Sequence, residues 1–250
     1  MAKEWVLIRG IMSEAYHWWD FLPQMQAHFP EDTFHTADIM GNGKLCAHTT
    51  SLSIPKNIAV LREQVPATST KKILFGFSLG GMLALEWAHR HPEEVEAVVL
   101  LNVSLNNSPF YKRLRPSSFA QIFKSAFIKD LTARESMIVR MTTSNMADER
   151  VLEIAQNFGP RGVEYPVKPM NFLWQIGIAS QIPQRQAPPA PVLVLNSALD
   201  KVVHPDCSKK IAEGWNLPLI VHPHAGHDLT LEDPQWVLEK VSHFVNARNV

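Results

Sequence analysis

Residues 71–87 read KKILFGFSLGGMLALEW. An apolar strand signal, Ile73-Leu74-Phe75, runs into Gly76-Phe77-Ser78-Leu79-Gly80-Gly81 and then into a helical pattern that ends before Pro92. When Gly-x-Ser-x-Gly joins a strand to a helix, the serine backbone is strained at a sharp turn, so the residues two before and two after it must lack bulk. Gly76 and Gly80 meet that need, and Gly81 lets the helix pack closer still. The turn lifts the Ser78 hydroxyl above the sheet edge. It also leaves the Leu79 N–H at a helix N-terminus, where it faces negative charge developing on a bound carbonyl.

Strand and helix signals alternate outward from this turn. Residues 4–8 (EWVLI) read as a buried strand, and Gly10 follows as a turn residue. Trp18, Phe21, Leu22 and Met25 recur at helical spacing, interrupted by Pro23. A strand over 34–39 leads into a loop in which Gly41 and Gly43 serve tight turns and Asp38 has a structural part. Ser53 caps a helix with Pro55 in its first turn and Ile54, Ile58, Leu61 and Val65 on one face. Beyond the elbow, 95–103 (VEAVVLLNV) is the near-continuous apolar run of a strand buried on both faces. The runs 192–195 and 219–221 read as further strands, with Asp206 capping a helix over 208–213 between them. Asp233-Pro234 opens a last helix, whose buried face is Val237, Val241, Phe244 and Val245.

Residues 106–189 break the alternation. Three helical patterns follow one another without a convincing strand: Phe119, Ile122, Phe123 and Phe127; Val151, Ile154, Ala155 and Phe158; Met170, Leu173, Trp174 and Ile178. This stretch also holds Lys112, Arg113 and Arg115 close together. Over 106–186 eleven Lys/Arg stand against six Asp/Glu.

A chain of 250 residues suits one α/β domain with an inserted subdomain. Apolar residues at 46% and charged residues at 19% describe a globular chain. The formal net charge of zero gives no case for nucleic-acid binding. Cys46 and Cys207 are isolated, so neither a disulfide framework nor a metal or redox motif is expected. No apolar run is long enough to span a membrane and no leader-like apolar segment stands at the start, so a cytoplasmic protein is expected.

The elbow, with the order of strands and loops around it, resembles the α/β-hydrolase-fold serine hydrolases over nearly all of the chain outside the insertion. The resemblance implies a mostly parallel central sheet flanked by helices. Residues 1–105 and 187–250 would form the core, and 106–186 a helical cap inserted after the sixth strand of the family's count. It implies Ser78 as nucleophile and Asp200, in the loop after residues 192–195, as acid, with Asp206 as fallback. His227, after Ala225-Gly226, would be the base, with His222 and His224 structural or at the surface. The backbone N–H groups of Ile11 and Leu79 would form the oxyanion hole. Two positions depart from the family pattern: Arg9 stands where a histidine is usual, and Asn196 where glycine is usual, a residue that tolerates the same turn conformations.

The activity so implied is hydrolysis of a carboxylic ester or thioester of a small to medium acyl substrate, with no metal or organic cofactor. Met170 and Trp174 are the guesses for cap residues that face the substrate. Cap basicity reads as a solvated face or as docking for an anionic substrate or carrier. Carbon–carbon bond hydrolysis, cofactor-free perhydrolysis and a non-catalytic binding protein remain alternatives, since one fold hosts many chemistries.

Overall fold

The computed structural model describes residues 2–125 and 127–247. Six parallel strands, β1 (Glu4–Ile8), β2 (Thr33–Ala37), β3 (Lys72–Phe77), β4 (Val95–Leu101), β5 (Val192–Ser197) and β6 (Leu219–His222), form one sheet in the order β2-β1-β3-β4-β5-β6. The strand order turns back at β1, so the chain winds helices onto both faces. Helices α1 (Phe21–His28), α2 (Ile54–Glu63) and α3 (Leu79–Arg90) precede β4. Helices α10 (Asp206–Gly214), α11 (Leu229–Glu232) and α12 (Pro234–Ala247) follow β5.

Side chains alternate across each strand, and the two faces have separate cores. Val6, Ile8, Leu74, Val98 and Val194 pack against α2, α3 and α10. Trp5, Leu7, Ile73, Phe75 and Val99 pack against α1 and α12, with Trp18 filling the gap beside Phe75. A central strand covered on both sides must be largely apolar, and β3, buried at every position, carries only apolar residues and glycine after Lys72. Pro23 does not interrupt its helix: it sits in the first turn of α1, where its missing N–H costs nothing.

Between β4 and β5 lie α4 (Phe110–Arg113), α5 (Pro116–Ser125), α6 (Leu131–Thr142), α7 (Asp148–Phe158), α8 (Arg161–Glu164) and α9 (Pro169–Gln181). This helical stretch leaves after β4, the fourth strand among the described residues. Helix α6 has no counterpart in the expected patterns. Its inward residues include Glu135 beside Val139 and Met141, and a carboxylate on the buried face blurs an amphipathic signal. Val139 meets Val151, Ile154 and Phe158 of α7 in a small core closed by Leu231. No helix among the described residues is long and apolar enough to cross a membrane.

Candidate active site

All the singled-out loops leave the C-terminal edge of the sheet. In-register pairing sets Ile8 beside Gly76, Gly76 beside Leu100, Leu101 beside Leu195 and Ser197 beside His222. Residues just past these ends therefore converge, as expected where open parallel sheets bind ligands. Ser78 follows β3 at φ 53° and ψ −121°, a left-handed conformation held by its N–H donating to Leu101 O at 2.9 Å and by the start of α3. A Cβ at Gly80 would collide with the Ile8 carbonyl, and one at Gly10 would lie 3.0 Å from Ser78 Cβ. Gly80 is thus required by close backbone approach, whereas the tight neighbour at Gly10 is the Ser78 side chain.

His227 comes from the loop after β6. Its Nδ1–H donates to Asp200 Oδ2 at 2.7 Å, with both residues buried. The other Asp200 oxygen accepts from Val202 N at 2.7 Å and Val203 N at 2.9 Å, so the carboxylate is fixed before any ligand arrives. Ser78 and His227 line one cavity of about 790 Å³, mostly apolar, together with Ile11 and Leu79. Among the described residues the N–H groups of Ile11 and Leu79 have no acceptor. Asp206 lies apart, paired with Lys112 at 2.6 Å in the first turn of α10, where its side chain caps nothing. His222 is held between Ala225 N and Asp233, and His224 is exposed.

Both departures from the family pattern have a local explanation. Arg9 is buried, makes a two-pronged contact with Asp228 and donates to Thr230 Oγ1 at 3.2 Å. Its guanidinium carbon lies 4.8 Å from the Trp18 ring and 4.6 Å from the Phe77 ring, and Phe77 in turn packs 4.8 Å from the His227 imidazole. Burial alone would raise the Asp228 pKa, but Arg9 and Thr230 bring it below the usual carboxylate range. Asn196 does not use the turn freedom expected of it, because it lies within β5. Its side chain donates to Pro205 O at 3.0 Å and accepts from Ser197 N at 2.8 Å.

Two further residues escaped the sequence reading. Asn102, at φ 51° just past β4, donates to His227 O at 2.6 Å and Ser197 Oγ at 2.9 Å and accepts from Ser197 N. It clamps the histidine loop to the strand that carries the acid loop. Gln175, fully buried in α9, accepts from Met12 N at 2.8 Å and donates to Asn42 Oδ1, tying the insertion to the loop that holds Ile11. A lone Asn or Gln carries no sequence signature for such a role. Of the two guessed pocket residues, Met170 is on the cavity wall and Trp174 is not. The helical repeat turns Phe172, Leu173, Ile176, Ala179 and Ser180 inward and leaves Trp174 outside that arc. His17 also lines the cavity. Burial and the nearby Arg9 lower its pKa to about 3, so its neutral Nδ1 accepts from Glu14 N at 2.9 Å.

The match to the alpha/beta hydrolase fold family runs over residues 6–234, and the chain belongs to that family. It is 33% identical over 94 residues to the pimeloyl-[acyl-carrier protein] methyl ester esterase of Klebsiella pneumoniae (strain 342), covering 38% of this chain and 34% of that protein. To the biotin biosynthesis bifunctional protein BioHC of Cellvibrio japonicus (strain Ueda107) it is 25% identical over 247 residues, covering 96% of this chain and 47% of that one. These matches therefore span between about a third and a half of the relatives' own length. Among solved structures, the meta-cleavage product hydrolase of Pseudomonas fluorescens IP01 superposes with a TM-score of 0.77 at 16% identity, covering 99% of this chain and 92% of that one.

Proposed function

We propose that this chain is a serine hydrolase that cleaves a carboxylic ester or thioester of a small to medium acyl substrate. One observation carries the reading: the His227–Asp200 hydrogen bond, set in the wall of the same cavity as Ser78 on its strained elbow. In the proposed cycle His227 takes the Ser78 proton as Oγ attacks the acyl carbonyl, and Asp200 holds the imidazole tautomer and stabilises the imidazolium. The Ile11 and Leu79 N–H groups receive the oxyanion, each such donor being worth about 3 kcal/mol of barrier. His227 then returns the proton to the leaving alcohol or thiol. It next takes a proton from water, which attacks the acyl-enzyme, and gives that proton to Ser78 Oγ as the acyl–oxygen bond breaks and the acid leaves.

Residues 106–186 act as the cap in this reading. Their apolar side chains line the acyl pocket and exclude water, and Met170 is one of them. The name of the Klebsiella relative, a methyl ester esterase, favours an ester over the other chemistries of the fold. The test is labelling with a serine-directed fluorophosphonate, read by mass spectrometry of the modified peptide. Modification of the peptide carrying Ser78, lost in Ser78→Ala, is the expected result. A folded wild-type protein that stays unlabelled refutes it.

A further inference from the structure

The Lys112-Arg113-Leu114-Arg115 run does not form one basic surface. Lys112 points outward to Asp206, whereas Arg113, at the end of α4, turns to the cavity wall. Four arginines line this cavity, and three of them are spoken for. Arg9 pairs with Asp228, Arg134 with Glu135 at 3.2 Å and Arg161 with Glu14 at 3.0 Å. Those three acids are the only carboxylates among the described lining residues. Asp200, behind His227, is already matched by two backbone N–H groups and the imidazole.

Arg113 alone has no carboxylate partner among the described residues. Its Nη2 donates to Ala179 O at 2.5 Å, and its Nε is buried with no acceptor. A guanidinium stays charged in any protein environment, and leaving a buried donor unmatched is costly. A substrate oxyanion would satisfy both the charge and the orphaned N–H. The lining is otherwise largely apolar, which favours a monoanion on an alkyl chain over a strongly hydrated dianion.

We propose that Arg113 is the anchor for a carboxylate at the end of the substrate remote from the scissile ester, so that the cavity selects monoesters of dicarboxylic acids. This rests on the hydrolase reading above, in that the ester end is taken to sit at Ser78. The test uses Ser78→Ala, which holds substrate without turnover. Calorimetry would compare monomethyl with dimethyl esters of linear diacids, from butanedioate to decanedioate, and the chain length of tightest binding reports the reach from Ser78 to Arg113. The monoester is expected to bind roughly ten- to a hundredfold more tightly at that length, the range for a charge-assisted hydrogen bond. The preference should vanish when Arg113→Gln is added and return in part with Arg113→Lys. Thermal melting of each variant verifies that it is folded.

Equal affinity for the two esters, or a preference that survives Arg113→Gln in a folded protein, overturns the anchor, as does failure of both esters to bind. Selective binding of the monoester that wild-type protein does not hydrolyse would keep the anchor and sink the hydrolase reading instead.

Discussion

Replacing Arg9 by methionine keeps much of its apolar volume and strands the Asp228 carboxylate. The pair is almost sealed from solvent, with 5% and 4% of the side chains exposed. Breaking one partner of such a pair costs about 3–5 kcal/mol, because a charge is left buried without compensation. That is a large share of the stability of an ordinary domain. Asp228→Asn should cost less, since an amide can still accept from Leu231 N at the start of α11. The double variant should recover at least about 2 kcal/mol of the summed losses, because neither side then leaves an unmatched charge. Arg9→Lys should fall between wild type and Arg9→Met, keeping the charge but losing the two-pronged contact and the stacking on Trp18 and Phe77. Urea unfolding followed by tryptophan fluorescence measures all four. Single losses under about 1 kcal/mol, or strictly additive ones, would refute the claim that this ion pair ties the loop after β1 to the loop that carries His227.

Asn102→Ala removes three buried hydrogen bonds and places alanine at φ 51°. It should cost about 2–4 kcal/mol and lower kcat on a chromogenic ester, and wild-type values for both would remove Asn102 from the site. His17, with its folded pKa near 3 against an ordinary 6.5, stabilises the fold fully above pH 6.5 and loses that contribution as the pH falls towards 3, because only the unfolded chain then takes up the proton. Wild-type stability should drop by about 2–3 kcal/mol more than that of His17→Gln between pH 7 and 4.5, and parallel pH profiles in urea titrations would contradict it.

How much could be read in advance depended on how local each constraint is. The elbow was legible because a serine at φ 53° needs small neighbours at fixed offsets, and Gly76 and Gly80 supply them within five residues. The strands were legible because a sheet covered on both faces demands apolar runs such as 97–101. Asp200 and His227 could be proposed together because parallel strands return every loop of this kind to one edge, so chain order became spatial order.

Other features depended on partners far apart in the chain. Arg9 looked like a defect until the fold brought Asp228 to it from 219 residues away. Asn102 and Gln175 are ordinary amides whose importance comes only from the buried groups around them, the His227 carbonyl and the Met12 N–H. The neighbours Lys112 and Arg113 share charge and sequence context, yet one meets Asp206 outside and the other enters the cavity, a division set by how α4 docks. Sequence by itself determined the strand order along the chain, the elbow and which side chains are proposed as reactive, because steric and hydrophobic requirements act on neighbouring residues. Tertiary structure alone decided which charges neutralise one another and which one is left over, because burial and pairing are properties of surroundings that no single segment carries.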